Sequence, residues 1–243
     1  MLFVWYKVSF DEKWSHGSAV CETVYFFVEF VCVFPWKCVS LNNQNRGKIM
    51  DGILRKLPIG IQTFEKLREG DYLYVDKTAL VWRIASTETP YFLSRPRRFG
   101  KSLLLSTFEA YFEGKKELFE GLAIADMEKE WKTYPLFHLD LNAEKYDSPQ
   151  ALVEILSRQL TQWELKYGKG EDEETLSGRF AGVIRRACEQ SGRGVVVLVD
   201  EYDKPLLQAL GDDALLDDYR KTLKAFYGVL KSSDRYLRFV FLT

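Results

Sequence analysis

Gly100, Lys101 and Ser102 stand together in the stretch FLSRPRRFGKSLLLST, residues 92–107. These residue types supply what a phosphate cradle needs: no Cβ where the backbone comes closest, an ammonium for the terminal phosphates, and a hydroxyl for magnesium. The pattern GxxxxGK[ST] fails only at its first glycine, where Arg95 stands. An arginine tolerates positive φ poorly, but Pro96 holds the chain extended and Gly100 keeps the close approach, so the loop is expected to work. Arg97 and Arg98 fit two readings equally: charge around the phosphates, or a solvated basic loop. The run expected to line a nucleotide is therefore Arg97, Arg98, Phe99, Gly100, Lys101, Ser102 and Leu103.

A GKS tripeptide alone is weak evidence. Ninety-nine residues after Lys101, however, the chain reads VVVLVDEYDKP, an aliphatic strand ending in Asp200 and Glu201. In P-loop ATPases a carboxylate at such a strand tip holds magnesium, and a second can orient or deprotonate the attacking water. The bland alternative is a strand that ends in an exposed acidic turn. Strand, GKS, helix and a later aliphatic strand with Asp-Glu, in that order, are much rarer together than either half.

The elements that must position these residues follow from the hydrophobic pattern. YFLS (91–94) is a short apolar run before the loop, and residues 102–114 have helical spacing with a closing Gly114. PLFHLDL (135–141) reads as a strand. Ser148 and Pro149 suit the start of a helix running to about Tyr167. Acidic residues 171–174 are expected to open another, ending near Gly192. VVVLV (195–199) is the strongest strand signal, a helix covers about 213–231, and YLRFVFL (236–242) is a last strand. Strands separated by helices imply a parallel sheet covered on both faces, an α/β fold of three layers.

Composition bounds the rest. The 243 residues are 47% hydrophobic, enough for one sizeable core, and the formal net charge of −1 creates no field that would gather nucleic acid or anionic lipid. Residues 1–49 differ from the rest of the chain: they hold 11 of the 36 aromatic residues and Cys21, Cys32 and Cys38, without a clear helical or strand period. They are expected to be an atypical leader, read through from upstream of a natural start at Met50 or poorly ordered. Their apolar runs fall far short of the ~20 residues that span a bilayer, and no basic start precedes a clean apolar run, so the chain is assigned to a reducing cytoplasm. Four cysteines without a CxxC pair, with only His16 and His138 beside them, make a poor zinc site. Free buried thiols are the simpler reading.

SRPRRFGKSLLLST, the upstream YLYVDKT (72–78), VVVLVDEYDKPL and the closing RFVFLT together resemble the bacterial AAA-ATPase-like family of predicted ATPases, from about Leu57 to Thr243. The resemblance implies a P-loop NTPase domain over residues 50–243, with ATP and Mg²⁺ as ligands. Gly100, Lys101 and Ser102 would contact nucleotide and metal, Asp200 would serve the metal, and Glu201 the water. Thr243 would be the polar residue that senses the γ-phosphate. The family's strand order places 236–242 between 91–94 and 195–199, with 135–141 outermost. Members commonly continue into further ATPase elements and a PD-(D/E)XK nuclease-like domain. The chain is accordingly expected to be C-terminally incomplete, with a fifth strand, a lid and an arginine finger beyond Thr243, an open sheet edge beside YFLS, possible homo-oligomers, and nucleic acid reached only through that further domain.

Tyr74, Asp76 and Lys77 have two readings, contact with adenine or ribose, or the packing and capping of a helix, and the second is favoured. A guanine-reading NKxD motif is absent, which excludes the usual GTPase. A metal nuclease centred on DEYDK would leave the GKS loop unexplained. A module that binds nucleotide without turning it over keeps the same lysine and stays open.

Overall fold

The central strand, β3 (Val195–Asp200), is buried on both faces along its whole length, which is why its sequence runs aliphatic without alternation. In the computed structural model, which describes residues 55–94, 96, 99–142 and 145–243, it lies inside a four-stranded parallel sheet of order β1-β4-β3-β2. The other strands are β1 (Tyr91–Phe92), β2 (Leu136–Asp140) and β4 (Leu237–Leu242). This is the order expected from the family resemblance, and β1 is an edge strand with Phe92 exposed. The leader, residues 1–49, and Arg95, Arg97 and Arg98 lie outside the described residues.

The helices in chain order are α1 (Phe64–Glu69), α2 (Thr78–Ala85), α3 (Lys101–Phe112), α4 (Ala123–Met127), α5 (Pro149–Tyr167), α6 (Leu176–Ser191), α7 (Lys204–Gln208) and α8 (Asp213–Ser232). One face of the sheet, carrying Phe137, Leu139, Val197, Val199 and Val240, packs into a continuous core with α5, α6 and α8. Phe137 stacks on Trp163 at 4.5 Å, and Phe180 on Phe226 at 4.4 Å. The opposite face is aromatic: Phe239 and Phe241 lie 5.1 and 4.9 Å from Phe108 of α3. Side chains alternate along a strand, so residues sharing the parity of Phe239 and Phe241 face α3. Register pairs His138 with Leu198 and Asp140 with Asp200. The row Asp140, Asp200 and Thr243 therefore ends the sheet on the side of α3.

One boundary differs from the sequence reading. The acidic stretch 171–174 does not open α6, whose N-cap is Thr175 with its hydroxyl accepting from the Gly178 amide at 3.0 Å. Glu173 instead forms a bidentate pair with Arg186 at 2.5 and 2.9 Å. That exchange satisfies the carboxylate more fully than an N-terminal dipole does. Pro149 opens α5 as expected, and the α6 C-cap is Gly192, left-handed at φ 64°.

Candidate functional site

Two residues with positive φ set the site. Gly100, at φ 77° and ψ 24°, is the N-cap of α3, and among the described residues nothing lies within 4 Å of where its Cβ would be. It turns the chain abruptly into the helix, so that Lys101 and Ser102 sit in the first turn, where amide groups and dipole favour an anion. Glu201, at φ 52°, turns the chain just past β3. A glutamate held there costs of order 1 kcal/mol, and such strain collects at functional positions. The turn is held by the Lys204 amide donating to the Glu201 carbonyl at 3.0 Å and by the Tyr202 amide donating to the Thr243 carbonyl at 2.9 Å.

These turns bring Lys101 to Glu201. Nζ lies 3.3 Å from Oε1, with the two side chains only 13% and 21% exposed. Beside them Thr243 Oγ1 donates a 2.7 Å hydrogen bond to Oδ1 of buried Asp200. The Thr243 amide donates to the Val199 carbonyl at 2.8 Å, continuing the β4 ladder past Leu242. Lys101, Asp200, Glu201 and Thr243 thus gather at the carboxyl ends of β3 and β4, facing the start of α3. Ser102 follows Lys101 in the same helical turn and is half-buried, as is Leu103, whose carbonyl accepts the hydroxyls of Ser106 and Thr107. Phe99 is 60% exposed. Arg97 and Arg98 remain outside the described residues.

A network that the sequence reading did not single out braces the neighbouring loops. Lys204 Nζ donates to the Asn142 carbonyl at 2.6 Å and to its Oδ1 at 2.5 Å, tying the turn after β3 to the turn after β2. The Asn142 amide in turn donates to Asp140 Oδ1 at 2.7 Å. Phe92 meets Tyr202 edge-on at 5.0 Å, holding the β1 tip against the same turn. Nothing in local spacing announces contacts 62 residues apart.

The sequence offers His138 only as a poor zinc ligand; the structure gives it a different place. Its Nδ1 faces Glu109 of α3 at 3.4 Å, while buried Nε2 takes no hydrogen-bond partner among the described residues. Burial pulls the imidazole down, but the Glu109 hydrogen bond and charge, with Asp140 and Asp200 nearby, outweigh it and leave the group above its usual value. The same hydrogen bond holds Glu109 below the usual glutamate range, against the effect of burial. A cavity of about 480 Å³ opens here between Glu109, Leu136, His138 and Trp163, at the far end of α3 from Lys101. None of its lining residues belongs to the GKS loop or the acidic strand tip.

Asp76 serves the helix. Its Oδ1 takes the Thr78 amide and hydroxyl at 2.8 and 2.6 Å, and Oδ2 takes the Ala123 amide at 2.7 Å. The formal N-cap is Lys77, yet Asp76 does the capping and also ties α2 to α4. Tyr74 packs edge-on against Phe64 at 5.4 Å, and burial pushes its phenol up to about 12.

A parallel sheet whose edge strand leads through a glycine turn into a helix, opposite an acidic strand tip one strand removed, is the arrangement of a P-loop NTPase-like α/β domain. The model of the predicted AAA-ATPase family matches residues 58–243, and the chain belongs to that family of nucleotide-binding, ATPase-like domains. It is 42% identical over 190 residues to a protein of Azotobacter chroococcum mcd 1 described as "Uncharacterized protein in vnfD 5'region", an alignment covering 78% of this chain and 37% of that one. The chain therefore spans little more than a third of that relative's length. No solved structure matches it significantly. Among the described residues no helix is long and apolar enough to cross a membrane.

Proposed function

We propose that residues 50–243 bind ATP with Mg²⁺ as the nucleotide domain of a cytoplasmic ATPase whose full-length form hydrolyses it and can form homo-oligomers. The observation that carries this reading is the convergence of Lys101, Asp200, Glu201 and Thr243 at one end of the sheet, facing the α3 N-terminus. Arg97, Arg98, Phe99, Gly100, Lys101, Ser102 and Leu103 line the phosphates in this reading, with backbone N–H groups and the ammonium supplying the attraction.

A hydroxyl and a carboxylate oxygen are hard donors suited to magnesium, and Ser102 and Asp200 offer one of each. Oδ2 of Asp200 takes no hydrogen bond among the described residues, which leaves an oxygen for a cation or its water. Bound magnesium would neutralise charge on the phosphate oxygens. Glu201 accepts a proton from the attacking water, Lys101 stabilises charge on the transferred phosphoryl group, and Thr243 senses the γ-phosphate while fixing the Asp200 rotamer.

The test pairs ATP affinity with steady-state hydrolysis. Lys101→Ala is expected to lose ATP affinity by at least about 100-fold with its fold intact. Glu201→Gln is expected to keep binding and lose turnover by about 10²-fold or more. Unchanged affinity in folded Lys101→Ala defeats the reading. Binding without turnover in the full-length protein leaves a nucleotide-binding module.

A further inference from the structure

The lysine that would grip the phosphates and the carboxylate that would activate water are bound to each other. Neither is free to drift away. The backbone that carries Lys101 is set by the left-handed turn at Gly100, and that of Glu201 by its own left-handed φ and the hydrogen bonds of the turn, so the two side chains start from fixed points. With side chains 13% and 21% exposed, the pair sits largely out of water, where opposite charges attract more strongly than on an open surface.

We infer that Lys101 and Glu201 form an autoinhibitory clasp that nucleotide phosphates must open, so that the general base is released only when the lysine is claimed by substrate. The inference rests on the nucleotide-site reading above. A polyphosphate offers several oxygens and more negative charge than one carboxylate, and it meets the α3 amide groups as well, so it competes successfully for the ammonium. Glu201 then loses its counter-charge, and its carboxylate becomes available to a water. When the phosphates leave, the clasp closes again. Binding energy is thus spent on separating two groups that attract, and the cost appears as weaker nucleotide affinity.

The clasp makes a prediction opposite to that for an ordinary binding residue: removing the Glu201 charge improves binding. ATP is titrated calorimetrically in EDTA, so that no metal role of the carboxylates enters, into the wild-type chain, Lys101→Ala, Glu201→Gln, Asp200→Asn and Asp140→Asn. Asp200→Asn and the exposed Asp140→Asn remove a nearby charge without touching the clasp, and the second stays informative if buried Asp200 does not tolerate change. Glu201→Gln is expected to tighten ATP by roughly three- to thirtyfold, the span between an exposed ion pair and a partly buried one. The two controls are expected to tighten it at least about threefold less. If Glu201→Gln binds no better than wild type while Lys101→Ala loses binding, the clasp is wrong and the nucleotide site stands. Equal tightening by Glu201→Gln and the controls reduces the effect to general repulsion and also overturns the clasp. If wild type binds no better than Lys101→Ala, the nucleotide reading falls and the clasp falls with it.

Discussion

Thr243 Oγ1 donates its hydrogen bond to Asp200 Oδ1 at 2.7 Å, although the two residues lie 43 positions apart and end different strands. Thr243 is 3% exposed and Asp200 7%, so the bond fixes a carboxylate that water scarcely reaches. Thr243→Val keeps the shape and removes the donor. A buried acceptor left unsatisfied costs about 1–3 kcal/mol, more where it is charged. The variant is expected to lose about that much stability in urea denaturation. Mg²⁺-dependent ATP affinity should fall with it, because Asp200 is then free to rotate. A variant as stable as wild type would show that the bond contributes nothing.

Gly100→Ala separates backbone strain from crowding. No atom of the described residues lies within 4 Å of the added Cβ, so the loss of stability expected is that of forcing alanine to φ 77°, about 1–2 kcal/mol. The larger effect is expected in nucleotide affinity, since the methyl group would crowd the backbone approach that the proposed site reserves for phosphates. The two effects are read from thermal melts and ATP titrations of the same variant. A loss of stability without a greater loss of affinity would place the phosphates elsewhere.

Much of this architecture was legible because it depends on local pattern. Five β-branched and aliphatic residues before Asp200 favour a strand buried on both faces, and Ser148-Pro149 suits the N-cap and first turn of a helix. The strand order came from family resemblance, since periodicity does not say which strands are neighbours. The acidic stretch 171–174 misled because propensity could not reveal that Arg186, nearly three turns into α6, would draw Glu173 away from the helix start. The Lys101–Glu201 and Lys204–Asn142 contacts were out of reach for a different reason. Both arise from turns at the ends of strands that the sheet brings together, and only the completed topology defines those distances.

The layer formed by α5 and α6 should fail independently of the site. Arg179 grips Glu164 through Nε and Nη2 at 2.8 and 2.7 Å and also donates to Ser157 Oγ at 2.7 Å and Thr161 Oγ1 at 2.9 Å. Both charged residues are 8% exposed. Glu164→Leu strands a buried guanidinium and is expected to cost about 3–5 kcal/mol in urea denaturation, while Glu164→Leu with Arg179→Leu recovers most of it. ATP affinity of the folded protein should not change in either variant. A double variant as unstable as the single one would mean that the hydrogen bonds to Ser157 and Thr161, and not the ion pair, hold the helices together.

His138 and Glu109 give the fold a pH dependence whose sign follows from their two shifts. The imidazole lies above its unfolded value of 6.5, so its contribution is fully present below 6.5 and is lost as pH rises through the folded value. The Glu109 carboxyl lies below its unfolded value of 4.5, so its contribution is present above 4.5 and is lost only as pH falls through the depressed value. Both charges therefore support the fold between 4.5 and 6.5. The charges that raise the imidazole are Glu109 from α3, Asp140 on its own strand and Asp200 from β3, all acidic, while Glu113 and, from α5, Lys166 line the same cavity. Raising the pH removes the positive charge among them and leaves Glu109 without its counter-ion. The melting temperature is expected to hold level at mildly acidic pH and to decline as pH rises above 6.5. His138→Gln should be less stable at the acidic end and show little of that decline. Thermal melts of both proteins from pH 5 to 8.5 decide it, and parallel curves would remove the His138–Glu109 pair as the cause.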